Sequence, residues 1–282
     1  MTTAIPLPDD LARTVARALA EDIGIGDLTA TLIPESTPGR AYVIAREQAT
    51  LCGRAWFDEA FRQLGNVHIE WSVDDGADVT SDQVLCRLRG TARLLLTGER
   101  TALNFLQTLS GTATTTRRYV DVVAGTGCRI LDTRKTLPGL RLAQKYAVRC
   151  GGGVNHRIGL FDAILVKENH IIAAGSIAAA VAHARRIAGP RMVEVEVENL
   201  DELMQALATD IDRILLDNFA QADLKDAVAL RKRHAGKPIT LEASGNVTLE
   251  TIRDIAQTGV DFISVGGLTK HVHAVDLSMR FE

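Results

Sequence analysis

Between Asp132 and His170 the chain reads DTRKTLPGLRLAQKYAVRCGGGVNHRIGLFDAILVKENH, with seven Lys/Arg against three Asp/Glu. One short apolar strand pattern (CRIL) ends in Asp132-Thr133-Arg134-Lys135 and a second (AILV) ends in Lys167-Glu168-Asn169-His170, with His156-Arg157 just after the three glycines between them. Residues past the C-terminal ends of parallel strands converge on one mouth, so Arg134, Lys135, Arg157 and Lys167 are candidate anion binders. Guanidinium forks and ammonium groups there suit carboxylates and phosphates through charge-assisted hydrogen bonds. Arg141, Lys145 and Arg149 lie four apart on one side of a helical pattern and read instead as a solvated basic face.

The following strand patterns bring the opposite charge. In VEVEV the valines 193, 195 and 197 share one face and the glutamates 194 and 196 the other. With the valines packed on helices, the carboxylates point into the interior or the mouth, which is costly for charge unless cations, a metal or a ligand meet them. RILLD delivers Asp217 to the same end. The last two strand patterns finish in Ser244-Gly245-Asn246 and Val265-Gly266-Gly267. Small residues there let backbone N–H groups approach a phosphate closely. One mouth thus combines cations, the carboxylates Glu196 and Asp217, and a phosphate cradle. A phosphosugar with Mg²⁺, together with a second acidic substrate, uses all three.

Those residues need a scaffold. Beyond Cys128, short apolar strands (RILD, AILVK, VEVEV, RILLD, PITLE, DFISV) alternate with helical stretches, which predicts a parallel α/β barrel. Six strands in about 140 residues are too few for the usual eight-stranded barrel of about 250 residues, so an incomplete one is expected. Before Cys128 the order differs: a helix from Asp10 to Ala20, strands over 40–52, 67–73 and 83–88, and one helical piece, WFDEAFRQLG. This predicts an N-terminal α/β sandwich over 1–112, the α/β barrel over 113–270, and a return of 271–282 to the first domain. The long helical text from Thr91 to Ala124 reads as a connector of two helices split near Ser110-Gly111. Arg100 sits in its middle, where an arginine is ordinarily solvated.

Composition bounds the function. At 282 residues, 46% apolar and 24% charged, the chain is an ordinary globular protein with room for one large or two modest domains. A net charge of −3 and 4% aromatic residues argue against nucleic-acid or membrane-surface binding. Four dispersed cysteines without a CxxC pair, and nothing before Asp9 that reads as a signal segment, point to the cytoplasm. No apolar run reaches the roughly 20 residues of a membrane span.

The residues as they stand resemble the quinolinate phosphoribosyltransferase family over nearly the whole chain. EDIGIGDLT, GERTALNFLQTLSGTAT, DTRKTLPGLR, GGGVNHRIGLFDAILVKENH, VEVEV, LLDN, EASGN and ISVGGLTKH carry the likeness. The resemblance implies Mg²⁺-dependent transfer of phosphoribose from phosphoribosyl pyrophosphate to quinolinate with decarboxylation, giving nicotinate mononucleotide, pyrophosphate and CO₂ for NAD synthesis. It implies a homodimer. It places Thr133, Arg134, His156, Arg157 and Lys167 in the quinolinate pocket, with Arg100 arriving from the partner subunit. It places Lys135, Glu196, Asp217, Ser244, Gly245, Asn246, Val265, Gly266 and Gly267 at the phosphoribosyl pyrophosphate site, with catalytic weight on Lys135, Glu196 and Asp217. Glu196 and Asp217 would hold the metal, directly or through water. Asn246 stands where some members have glycine.

Three other readings fit parts of the pattern. A Schiff-base aldolase would use Lys167 as its amine. A non-catalytic barrel would only bind anions, and a phosphoribosyltransferase-like protein of metal metabolism is disfavoured by the intact DTRK and NHR segments.

Overall fold

A computed structural model describes residues 5–282. The first four residues of the 1–112 division, and of the stretch before Asp9 read as carrying no signal segment, lie outside the described residues.

The elements in chain order are α1 (Leu11–Ile23), β1 (Pro38–Ala45), β2 (Ala49–Thr50), α2 (Arg54–Leu64), β3 (His68–Trp71), β4 (Asp78–Val79), β5 (Val84–Thr91) and α3 (Ala92–Val122). They continue with β6 (Arg129–Leu131), α4 (Arg141–Cys150), β7 (Ile164–Val166), α5 (Glu168–Ala174), α6 (Ile177–Ala188), β8 (Val193–Val197), α7 (Leu200–Leu207) and β9 (Arg213–Asp217). The chain closes with α8 (Gln221–Arg233), β10 (Thr240–Ser244), α9 (Ile252–Ala256), β11 (Phe262–Ser264), α10 (Gly267–Lys270) and β12 (Leu277–Phe281).

Two compact units result. The first comprises residues up to Arg117 with Thr136–Gly152 and Gly267–Glu282, and the second Arg118–Lys135 with Gly153–Gly266. Relative to the division expected from sequence, α4 groups with the first unit.

In the first unit the antiparallel sheet runs β12-β1-β5-β3, so the C-terminal strand pairs with β1. Its core is aliphatic and aromatic, with Trp56, Phe57, Phe61, Leu88 and Leu103 buried among Leu106, Leu109 and Val43. The expected split of the helical connector is not present: α3 is one helix of 31 residues. Ser110 and Gly111 are packing residues rather than breakers. Ser110 Oγ donates to Cys52 O at 3.1 Å and accepts from Cys52 N at 2.9 Å. A Cβ on Gly111 would stand 2.1 Å from His273 O, so only glycine admits that close backbone.

A second expectation is corrected in α4. Its basic residues were read as a solvated face, yet Lys145 is buried at 3% exposure and Arg141 is half-buried, its Nε donating to Thr136 Oγ1 at 3.1 Å; only Arg149 is exposed. Ala143, Gln144, Ala147, Val148 and Cys150 are buried as well, so the helix is covered nearly all round. Four-residue spacing marks one side of a helix but does not say which side faces water.

The second unit holds all six strands expected from the apolar runs, in one parallel sheet ordered β6-β11-β10-β9-β8-β7. β6 and β7 are its two edges, so the barrel-like sheet is incomplete, and β6 gains an isolated parallel bridge from Leu131 to Val154. On β8 the valines 193, 195 and 197 are fully buried, and α6 and α7 pack on this strand with Ile177, Val181, Leu203 and Ala206 inward. Alternation along β8, β9 and β10 sends Glu194, Glu196, Arg213, Asp217, Glu242 and Ser244 to the other face.

Candidate active site

Register fixes the carboxylates first. Glu196 lies opposite Leu215, and Asp217 lies one step further along the same face of the adjacent strand, so the two acids are diagonal neighbours. Ser244 pairs directly with Asp217. Lys167, at the end of β7, places its Nζ 2.5 Å from Glu196 Oε2. The lysine is therefore held by a carboxylate that a bound cation could take over, which would free the ammonium for a substrate acid.

Asn218 was not singled out as a site residue in the sequence, but it organises this rim. It sits at φ 55°, in the left-handed region that few residues other than glycine adopt cheaply. Its amide Nδ2 donates to Asp217 Oδ2 at 2.8 Å, and its Oδ1 accepts from Asn246 Nδ2 at 3.4 Å. A Cβ on Gly245, itself at φ 108°, would stand 2.1 Å from that Oδ1, which explains the glycine in EASGN. Asn246 adopts φ 47°, a conformation that asparagine tolerates.

The loop after β11 meets the loop after β6. A Cβ on Gly266 would contact the Lys135 side chain at 3.1 Å, and Thr133 Oγ1 accepts from the Lys135 N–H at 3.0 Å. Lys135 is thus an exposed ammonium over a glycine lip, while Val265 is buried and Gly267 opens α10.

The cations gather at the other lip. Arg134 and Arg157 are half-buried, and burial first, then the neighbouring Arg134 charge, holds the Arg157 guanidinium below its ordinary range. Two crowded guanidiniums are a repulsive arrangement that a dianion relieves.

His156 is buried beneath this lip. Both ring nitrogens are engaged within the chain: Nδ1 accepts the Arg157 N–H at 2.8 Å, and Nε2 lies 2.9 Å from Glu194 Oε2 and 3.4 Å from Glu242 Oε2. Its backbone N–H donates to the fully buried Asp132 at 2.8 Å, and Asp132 also accepts from the Asn155 amide at 2.6 Å. Burial pushes the imidazole down, but its hydrogen bonds to Glu194 and Glu242 outweigh this and raise it to about 9. Burial and then the Glu242 charge raise Glu194 to about 6. Burial works in the same direction on Glu242, yet the hydrogen bonds from His156 and Ser264 and the charges of His156 and Arg213 hold it below the ordinary carboxylate range.

Arg100 lies on α3 in the first unit and is exposed. Among the described residues, three-ligand groups occur only as Cys52/Asp75/Cys150 and His156/Glu194/Glu242, and neither contains Glu196 or Asp217.

A parallel α/β unit whose strand ends offer crowded guanidiniums, paired hard carboxylates and glycine lips defines an enzyme of phosphosugar transfer rather than an apolar-ligand carrier. The comparisons with known proteins narrow this. The quinolinate phosphoribosyl transferase N-terminal domain matches residues 27–110 and the C-terminal domain matches 112–280. The chain is 45% identical over 265 residues, 93% of its length and 89% of the relative's, to a probable nicotinate-nucleotide pyrophosphorylase [carboxylating] of Synechocystis sp.. It is 43% identical to the nicotinate-nucleotide pyrophosphorylase [carboxylating] of Mycobacterium leprae, covering 96% of this chain and 97% of that one. The solved structure of the nicotinate-nucleotide pyrophosphorylase from Francisella tularensis superposes with a TM-score of 0.94 at 49% identity, covering 98% of both chains. The chain belongs to the quinolinate phosphoribosyltransferase family.

Proposed function

We propose that this chain joins quinolinate to phosphoribosyl pyrophosphate, releasing pyrophosphate and CO₂ and forming nicotinate mononucleotide for NAD synthesis. The observation that supports the reading is that Glu196 and Asp217 lie on one face at the ends of adjacent strands with Ser244 beside Asp217, while Gly266 lies against Lys135 on a neighbouring strand end. Loss of pyrophosphate leaves positive charge on the ribose carbon, which Glu196 and Asp217 stabilise. Attack by the pyridine nitrogen makes the ring cationic, so it accepts the electron pair as the adjacent carboxylate departs as CO₂, and the vacated carbon takes up a proton. No side chain need become covalently attached. The chain's task is to hold two polyanions that otherwise repel, with Thr133, Arg134, His156, Arg157 and Lys167 toward quinolinate and Lys135, Ser244, Gly245, Asn246, Val265, Gly266 and Gly267 toward the phosphates.

Mg²⁺ fits the donor set. Glu196 and Asp217 offer hard oxygens on adjacent strands, and two protein carboxylates suit an ion that keeps several waters and completes its shell with substrate phosphate. When bound it neutralises charge on the departing pyrophosphate. Treatment with EDTA should abolish pyrophosphate release and added Mg²⁺ should restore it; full activity in EDTA would remove the metal from the reading.

A homodimer is proposed on two observations. Arg100 is exposed on α3, and large apolar side chains stand in water in both units, Ile25, Leu28 and Leu32 in one and Leu160, Phe161 and Ile172 in the other. With Arg100 donated to the partner's pocket, Arg100→Ala and Lys167→Ala homodimers should both be nearly inactive. A mixed dimer then has one site with both defects and one intact. Equal co-refolding places about half the chains in mixed dimers, so activity should return to about a quarter of wild type. Folded mutants that exchange subunits without recovery would show that Arg100 does not act in the partner's site.

Among the described residues no single helix is long and apolar enough to cross a membrane. All four cysteines are buried free thiols, in keeping with the cytoplasmic location proposed for the chain.

A further inference from the structure

Asp217 does not end its strand alone. Asn218 follows it at φ 55°, and its backbone N–H continues the ladder between β9 and β10 by donating to Ser244 O at 2.8 Å. The side chain then turns back on both strand ends. Its Nδ2 donates to Asp217 Oδ2 at 2.8 Å, while its Oδ1 accepts from Asn246 Nδ2 at 3.4 Å and stands 2.1 Å from where a Cβ on Gly245 would lie. One amide thus touches the carboxylate after β9 and the Ser-Gly-Asn loop after β10. The backbone alone does not call for this side chain, because glycine adopts a left-handed φ at less cost than any other residue. Stability does not call for it either: Asn218 is exposed, and a hydrogen bond that exchanges with water adds little.

We propose that Asn218 is a positioning residue that fixes Asp217 and the loop at Gly245 relative to each other, so that a phosphosugar meets the carboxylate and the phosphate cradle in one arrangement. This rests on the functional reading above, in which phosphoribosyl pyrophosphate takes up both. An aspartate at a partly exposed strand end is free to turn about its side-chain bonds. With Oδ2 held by the adjacent amide, that freedom is removed before the ligand arrives, and binding no longer has to remove it. The other end of the same amide sets the loop. Its Oδ1 occupies the space that a side chain at residue 245 would fill, so the backbone there stays bare and close to Asp217. A carboxylate ligand restrained by a neighbouring donor is the usual way in which a protein orients oxygens toward a hard cation.

Calorimetric titration of phosphoribosyl pyrophosphate with Mg²⁺ into wild type, Asn218→Gly and Asn218→Asp tests this without turnover. Glycine keeps the left-handed turn and removes the amide; aspartate keeps the shape and has no N–H to give Asp217. Each variant should bind phosphoribosyl pyrophosphate about tenfold more weakly, the lower end of the scale for partners that orient a binding group. The KM for quinolinate should stay within about twofold and the melting temperature should not fall. Wild-type affinity in Asn218→Gly would show that the asparagine serves only its turn, and would overturn the proposal. Wild-type affinity in Asn218→Asp would overturn it as well, since shape rather than the donated N–H would then matter. So would a matching rise in the quinolinate KM with a lower melting temperature, which marks a purely structural role. A wild-type protein that does not bind phosphoribosyl pyrophosphate at all would overturn the functional reading and this proposal with it.

Discussion

Glu196→Gln and Asp217→Asn should each lower kcat by about two orders of magnitude or more while leaving the protein folded, the scale of a single electrostatic stabiliser. Both carboxylates lie on one face at the ends of adjacent strands, and the proposed reaction develops positive charge on the ribose carbon. Glu196 is partly exposed and paired with Lys167, while Glu194, two residues back, is fully buried and paired with His156. Removing the first withdraws charge from the reacting carbon; removing the second disturbs a pocket wall. Glu196→Gln also frees Lys167, so its quinolinate KM should not rise, which separates a transition-state effect from lost binding. A larger kcat loss in Glu194→Gln than in Glu196→Gln, both folded, would contradict this assignment.

Nicotinate, which lacks one carboxylate, should be a very poor substrate. Arg134, Arg157 and Lys167 supply more positive charge than one carboxylate neutralises. Leaving a desolvated cation without its acid costs about 2 to 5 kcal/mol, so kcat/KM for quinolinate should exceed that for nicotinate by about a hundredfold or more. The crowding of Arg134 and Arg157 sharpens the expectation, because a monoacid relieves less of their repulsion. Similar kcat/KM values for the two acids would show that the lip does not read the second carboxylate.

The six parallel strands were legible because each is a short apolar run bounded by turn or charged residues, and their ends named Arg134, Lys135, Lys167, Glu196 and Asp217 as neighbours of one mouth. Period-2 alternation in VEVEV separated buried valines from inward acids. Other features depend on partners that local sequence does not contain. Gly111 reads as a break until His273 O is seen against it. Lys145 reads as solvated until the other faces of α4 prove to be covered. Glu242 alternates with Leu241 and Ala243 as Glu194 does with its valines, so its inward face was available to the same reasoning; its meeting with His156 was not. Asn218 offered no signal beyond its place after Asp217, since its left-handed φ depends on the loop it closes with Gly245 and Asn246.

The most direct measurement is simultaneous release of CO₂ and pyrophosphate by the purified wild-type protein, with quinolinate labelled in the carboxylate beside the ring nitrogen, phosphoribosyl pyrophosphate and Mg²⁺. The account predicts labelled CO₂ and pyrophosphate in equal amounts, with neither formed when one substrate is left out. Pyrophosphate formed without CO₂, or no product from a folded protein, would contradict it.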